Sequence, residues 1–129
     1  MKIKNLISFL LITLLFSTCS DDSSESVQYN ITGTWIGPYD GETGSGTLYM
    51  YMVQTGSDVT GTYSAPAGED TGTVIGNVDD NEFLTTVTSL PYVCETYMKF
   101  TIQDSLHMSG YYRGYETCED TGSVSLVKQ

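Results

Sequence analysis

The sequence predicts an all-β domain, an eight-stranded antiparallel up-and-down barrel, with a two-sheet β-sandwich as the alternative. Three observations lead there. From about residue 30 the chain is rich in Thr, Tyr and Val, which suit a pleated surface, with Gly recurring among them. Short runs of alternating apolar and polar residues are separated by turn residues. No stretch of ten or more residues carries a helical period.

The first run, 31–37, contains Ile31-Thr32-Gly33-Thr34-Trp35 and is expected to end before a loop from Pro38 to Ser45. In the second run, 46–54, Leu48, Met50 and Met52 oppose Tyr49 and Tyr51; Thr55-Gly56-Ser57 then turns the chain tightly into the third, 58–64. A longer loop, Ala65 to Thr71, leads to the fourth, 72–78, and Asp79-Asp80-Asn81 turns into the fifth, 82–88. The stretch Phe83 to Thr88 does not alternate cleanly, so its inner face is ambiguous. After a loop from Ser89 to Val93, the sixth run, 94–103, sets Met98, Phe100 and Ile102 against Tyr97, Lys99 and Thr101. The turn at Asp104-Ser105 opens the seventh, 106–115, where Leu106, Met108 and Tyr112 oppose His107, Ser109, Tyr111 and Arg113. A loop from Glu116 to Thr121 precedes the eighth, 122–128.

Tight and long connections alternate. A meander would therefore gather the long loops, with Pro38, Pro66 and Pro91, at one end and the tight turns at the other. Cys94 and Cys118 fall at the long-loop end on neighbouring strands, where a disulfide between them is expected in an exported chain.

A short pattern recurs: Ile31-Thr32-Gly33-Thr34-Trp35, Val59-Thr60-Gly61-Thr62-Tyr63 and Met108-Ser109-Gly110-Tyr111-Tyr112. An apolar residue, a Gly and an aromatic share one face, which suits the coiling of a closing sheet. Gly33-Thr34-Trp35 resembles the G-x-W signature of the calycins, the lipocalins and avidins. Ile31 to Trp35 and Val59 to Tyr63 resemble the first and third strands of avidin-type barrels, a likeness of about ten residues in detail. The resemblance implies that Lys128, late in the last strand, packs on Trp35 and that Tyr63 contacts a ligand. Ala65 stands where avidins carry a Ser, and Trp35 is the only Trp, which argues against biotin.

The N-terminal 18 residues read as a secretory leader. Lys2 and Lys4 supply the positive start, and Leu6 to Phe16 is apolar but too short to span a bilayer. Leu15-Phe16-Ser17-Thr18-Cys19 resembles a lipobox, and the Ser-Asp-Asp that follows resembles the export signals of Bacteroidota lipoproteins. The resemblance implies a signal peptide over 1–18, acylation (palmitate included) at Cys19, a polar tether over 19–29 and a soluble barrel over 30–129. It implies an outer-membrane lipoprotein of the cell envelope, periplasmic or surface-exposed, held to the membrane by its lipid anchor. An ordinary signal peptide cut before Cys19 is the alternative.

Removing Lys2 and Lys4 from the chain's 5 basic residues leaves three against 16 acidic ones, which excludes nucleic acid as a partner. His107 is the lone His, on an outward face, and no Ser or Cys nucleophile has a base near it in sequence, so no enzyme is expected. Two Cys and one His make no zinc set, and neither metal nor cofactor is expected. Asp104-Ser105-Leu106 resembles a Bacteroidota O-glycosylation sequon and equally suits a turn.

The long-loop end carries Asp40, Glu42, Glu69, Asp70, Glu95, Glu116, Glu119 and Asp120, with Tyr39, Tyr92 and Tyr115 among them. The expected function is non-catalytic binding of a small molecule, glycan or protein at this mouth. Its candidate contacts are Trp35, Tyr39, Tyr63, Tyr92, Tyr112 and Tyr115. The rival is a filled barrel that serves as a structural or protein-interaction lipoprotein. Inward Gly33, Gly61, Gly76 and Gly110 leave room, while Trp35, Tyr63, Phe100 and Tyr112 are large enough to fill it.

Overall fold

The computed structural model describes residues 28–129. The signal segment, Cys19 and the tether up to Val27 lie outside the described residues. Eight strands follow one another: β1 (Gly33–Gly41), β2 (Ser45–Thr55), β3 (Asp58–Ala65), β4 (Asp70–Asp79), β5 (Glu82–Ser89), β6 (Glu95–Ile102), β7 (His107–Gly114) and β8 (Thr121–Lys128). Each pairs antiparallel with the next, and β8 pairs back onto β1, so the sheet is a closed barrel and not a sandwich. Closure leaves no unpaired edge.

The recurring Gly positions have a steric cause. A Cβ at Gly61 would run into the carbonyl oxygen of Tyr51, and one at Gly110 into that of Lys99. Backbone passes there where a side chain would sit, which lets the sheet coil tightly enough to close.

The barrel interior divides into two halves. Toward the tight turns it is solid: Trp35, Met50, Phe83, Phe100, Met108 and Leu126 are fully buried. Phe83 and Phe100, register partners on β5 and β6, stack with centroids 5.7 Å apart. Burying side chains of this size stabilises the fold by about 1.5–3 kcal/mol each. Ile31 closes this end. Its carbonyl accepts from the Trp35 indole Nε1 at 2.9 Å, and its own N–H donates to Gln54 Oε1 at 2.9 Å. Lys128 is the register partner of Trp35 and holds its Nζ 6.0 Å from the indole centroid, as the calycin resemblance implied.

The tight turns are where the sequence places them. Gly56-Ser57 and Asp80-Asn81 are two-residue connections, with Gly56 at φ 63° and Asp80 at φ 54°. At Asp104 the carboxylate accepts from the Leu106 N–H at 2.8 Å and meets His107 Nδ1 at 2.8 Å, which fixes the β6–β7 turn.

Two expectations are corrected and one ambiguity is resolved. β1 does not stop before Pro38: it runs to Gly41, and only Glu42–Gly44 connects it to β2, closed by Gly41 N–H donating to the Gly44 carbonyl. Pro38 pairs with Thr47 of β2, while the β1–β8 ladder skips Gly37 and Pro38, where proline has no N–H to give. Leu106 does not share the inner face; it lies in the turn, exposed, and β7 begins at His107. The ambiguous fifth run resolves with Phe83, Thr85, Val87 and Ser89 inward.

Candidate functional site

Toward the long-loop end the barrel is not filled. A cavity of about 340 Å³ opens there, walled by Tyr39, Tyr63, Tyr112, Leu48, Val87 and Met98 and rimmed by Tyr92, Asp70 and Asp120. The three wall tyrosines share one local construction. Tyr39 pairs across the ladder with Gly46, Tyr63 with Gly72 and Tyr112 with Gly122. A Cβ at Gly46 would lie 3.1 Å from the Tyr39 ring, and one at Gly72 would lie 2.8 Å from the Tyr63 ring. An aromatic opposite a glycine thus keeps the Tyr39 and Tyr63 rings close to the wall, with the lumen open beside them. Tyr39 and Tyr112 then meet edge to face, 6.2 Å between centroids.

Two carboxylates hold the ring hydroxyls. Tyr63 OH donates to Asp70 Oδ2 at 3.0 Å, and the hydroxyl of buried Ser89 donates to Asp70 Oδ1 at 2.5 Å. Tyr112 OH donates to Asp120 Oδ2 at 3.0 Å, while Thr43 N–H donates to Asp120 Oδ1 at 3.1 Å. Burial and the neighbouring Asp70 charge push the Tyr63 hydroxyl well above the ordinary tyrosine range. Burial and the hydrogen bond to Asp120 do the same for Tyr112. Burial works to raise Asp120, but the donated bonds from Tyr112 and Thr43 outweigh it, so its carboxyl is held below the usual range. Both tyrosines are therefore neutral donors at physiological pH.

The long loops shape the rim. Pro66–Gly68 and Glu116–Cys118 each form one 3₁₀ turn. The second is tied to the β5–β6 connection by the Cys94–Cys118 disulfide, with Cα atoms 6.0 Å apart. In the chain-entropy account, closing such a loop contributes about 3 kcal/mol. Cys118 itself lines the cavity.

Of the six candidate contacts, Tyr39, Tyr63, Tyr92 and Tyr112 come together at this cavity. Trp35 does not; it is fully buried in the filled half. Tyr115 also stays outside the lining, exposed under the Arg113 guanidinium, whose Cζ is 5.7 Å from its ring centroid. His107 is at the opposite end, against Asp104. Among the described residues, no group of three or more His, Cys, Asp or Glu side chains comes together as a metal site.

Asp70 and Asp120 are thus more than the rim charges that composition suggests. A stronger signal was present. Glu69-Asp70-Thr71-Gly72-Thr73-Val74 and Glu119-Asp120-Thr121-Gly122-Ser123-Val124 are near-copies, each following a Gly-x-Tyr strand. The repeat builds a Tyr–Asp hydrogen bond twice, on hairpins β3–β4 and β7–β8. These are four strands apart in an eight-strand ring, on opposite walls.

No family model matches the chain, and no curated protein matches it. Among solved structures it is similar to a redesigned beta barrel, with a TM-score of 0.62 at 13% identity over 76% of this chain and 90% of that one. That likeness carries the barrel fold.

Proposed function

We propose that the protein is a membrane-anchored lipoprotein whose barrel binds a small molecule, without catalysis, in the cavity at its long-loop end. The observation that carries this reading is the half-filled interior. One half is packed solid, while the other leaves about 340 Å³ walled by tyrosines and apolar side chains, within the usual size range of ligand sites. A purely structural barrel has no need of such a space, since filling it would add burial energy. The end at which the tether joins supports the anchoring half. Gln28 Nε2 donates to the Gly56 carbonyl at 3.1 Å, so the chain enters beside the tight turns. A barrel anchored through Cys19 would present its cavity away from the membrane.

Two variants test the two halves. Cys19→Ala is expected to move the protein from the membrane fraction to the soluble one; unchanged fractionation contradicts the anchor. Ala65→Phe, at a buried lining position, is expected to keep the native circular dichroism spectrum while abolishing the thermal stabilisation given by fragment-library hits. Hits that stabilise the plugged variant equally contradict the cavity site.

A further inference from the structure

We propose that the cavity takes a small organic cation, an amine or quaternary ammonium on an apolar body, with its charged head between the Asp70 and Asp120 carboxylates and against the tyrosine faces. This rests on the cavity being the binding site.

The charge of the lining is one-sided. Its charged side chains are Asp70 and Asp120, and no Lys, Arg or His lines it. The basic groups of the described residues are occupied elsewhere. Lys99 Nζ pairs with Glu82 at 3.2 Å, Arg113 lies over Tyr115, and Lys128 lies over Trp35 at the far end. An anionic ligand would enter a negative field and find no cationic partner. A cation is attracted by both carboxylates over low-dielectric walls.

The carboxylates are already oriented. Asp70 accepts two hydrogen bonds from the protein, from the Tyr63 and Ser89 hydroxyls, and a carboxylate has about four acceptor sites; Asp120 is held by Tyr112, Thr43 and Thr121. Capacity therefore remains for an ammonium N–H at Asp70, while Asp120 contributes its charge. The tyrosine rings beside them add the negative π face that stabilises an onium group. Because the two Tyr–Asp pairs come from repeated hairpins on opposite walls, the charge is held across the lumen and not on one lip. Below the rim, Leu48, Val87 and Met98 supply the apolar floor for the ligand body. The volume holds roughly ten water-sized groups, which sets a small ligand.

The test is calorimetric titration of the full-length protein with three probes of matched chain length: 2-phenylethylammonium, neutral 2-phenylethanol and anionic phenylacetate. The cation is expected to bind at least about tenfold more tightly than the alcohol, and the anion more weakly than either. Added salt should narrow the gap. The double variant D70N/D120N should bring the cation to the level of the alcohol. An alcohol or carboxylate that binds as tightly as the cation overturns the proposal; if Ala65→Phe also abolishes that binding, the cavity reading stands alone. Absence of binding by all three probes overturns the cation proposal, and the fragment screen against Ala65→Phe then decides the cavity reading separately.

Discussion

Tyr63 and Tyr112 set the character of the cavity at the scale of single residues. Their hydroxyls are neutral donors pinned to carboxylates, and their raised proton affinity has a consequence in alkali. A group whose folded affinity is raised contributes stability that is fully present below its unfolded value, about pH 10 for tyrosine, and lost as pH rises toward the folded value. In a 295 nm titration these two should remain protonated past the ordinary tyrosine range and ionise only as the barrel unfolds. Tyr63→Phe and Tyr112→Phe should each remove one late-titrating group. Each should also cost about 1 kcal/mol in urea unfolding, the usual worth of a hydrogen bond. Variants Tyr63→Phe and Tyr112→Phe that each remove a group ionising at about pH 10 in folded protein contradict the geometry. At this scale the sequence was partly legible. Composition and alternation pointed to tyrosines at the mouth, but how the Tyr39 and Tyr63 rings lie against the wall depends on the cross-strand glycines Gly46 and Gly72. Tyr115 lies past the end of β7 and is exposed under Arg113, while Trp35 lies too near the strand start to reach the mouth.

At the scale of elements, alternation and turn residues located the strands because each tight turn carries its own chemistry: Gly56 and Asp80 at positive φ, Asp104 accepting from Leu106. The β1–β2 connection was not legible. Pro38 reads as a breaker, yet it lies where the β1–β8 ladder is open, so its missing N–H leaves no donor absent from a pair. β5 was ambiguous because Thr85 points inward, and its Oγ1 satisfies itself on the Ile75 carbonyl at 2.8 Å. The glycines of the recurring motif carry the closure. Gly110→Ala places a methyl against the Lys99 carbonyl, and the resulting shift of β7 from β6 should cost about 1–3 kcal/mol in urea unfolding. Ser123→Ala, exposed on the adjoining β8, should cost less than about 0.5 kcal/mol. Equal effects at the two positions would show that close approach at Gly110 does not hold the sheet closed.

For the whole molecule, the governing feature is the division of one barrel into a solid half and an open half. The sequence showed large and small residues on the inner face but not how they sort along the axis. That sorting follows from register: Trp35, Phe83, Phe100 and Met108 lie near strand ends at the tight turns, while the glycines facing Tyr39, Tyr63 and Tyr112 lie near the long loops. The four methionines of the described residues report both halves at once. Met98 lines the cavity, whereas Met50, Met52 and Met108 are buried in the other half. Titration of ¹³C-methyl-methionine-labelled protein with 2-phenylethylammonium, or with any fragment hit, therefore tests the account most directly. The Met98 methyl resonance should shift progressively to saturation while those of Met50, Met52 and Met108 hold still. Shifts at Met50 or Met108 with Met98 unmoved would contradict a binding cavity at the long-loop end.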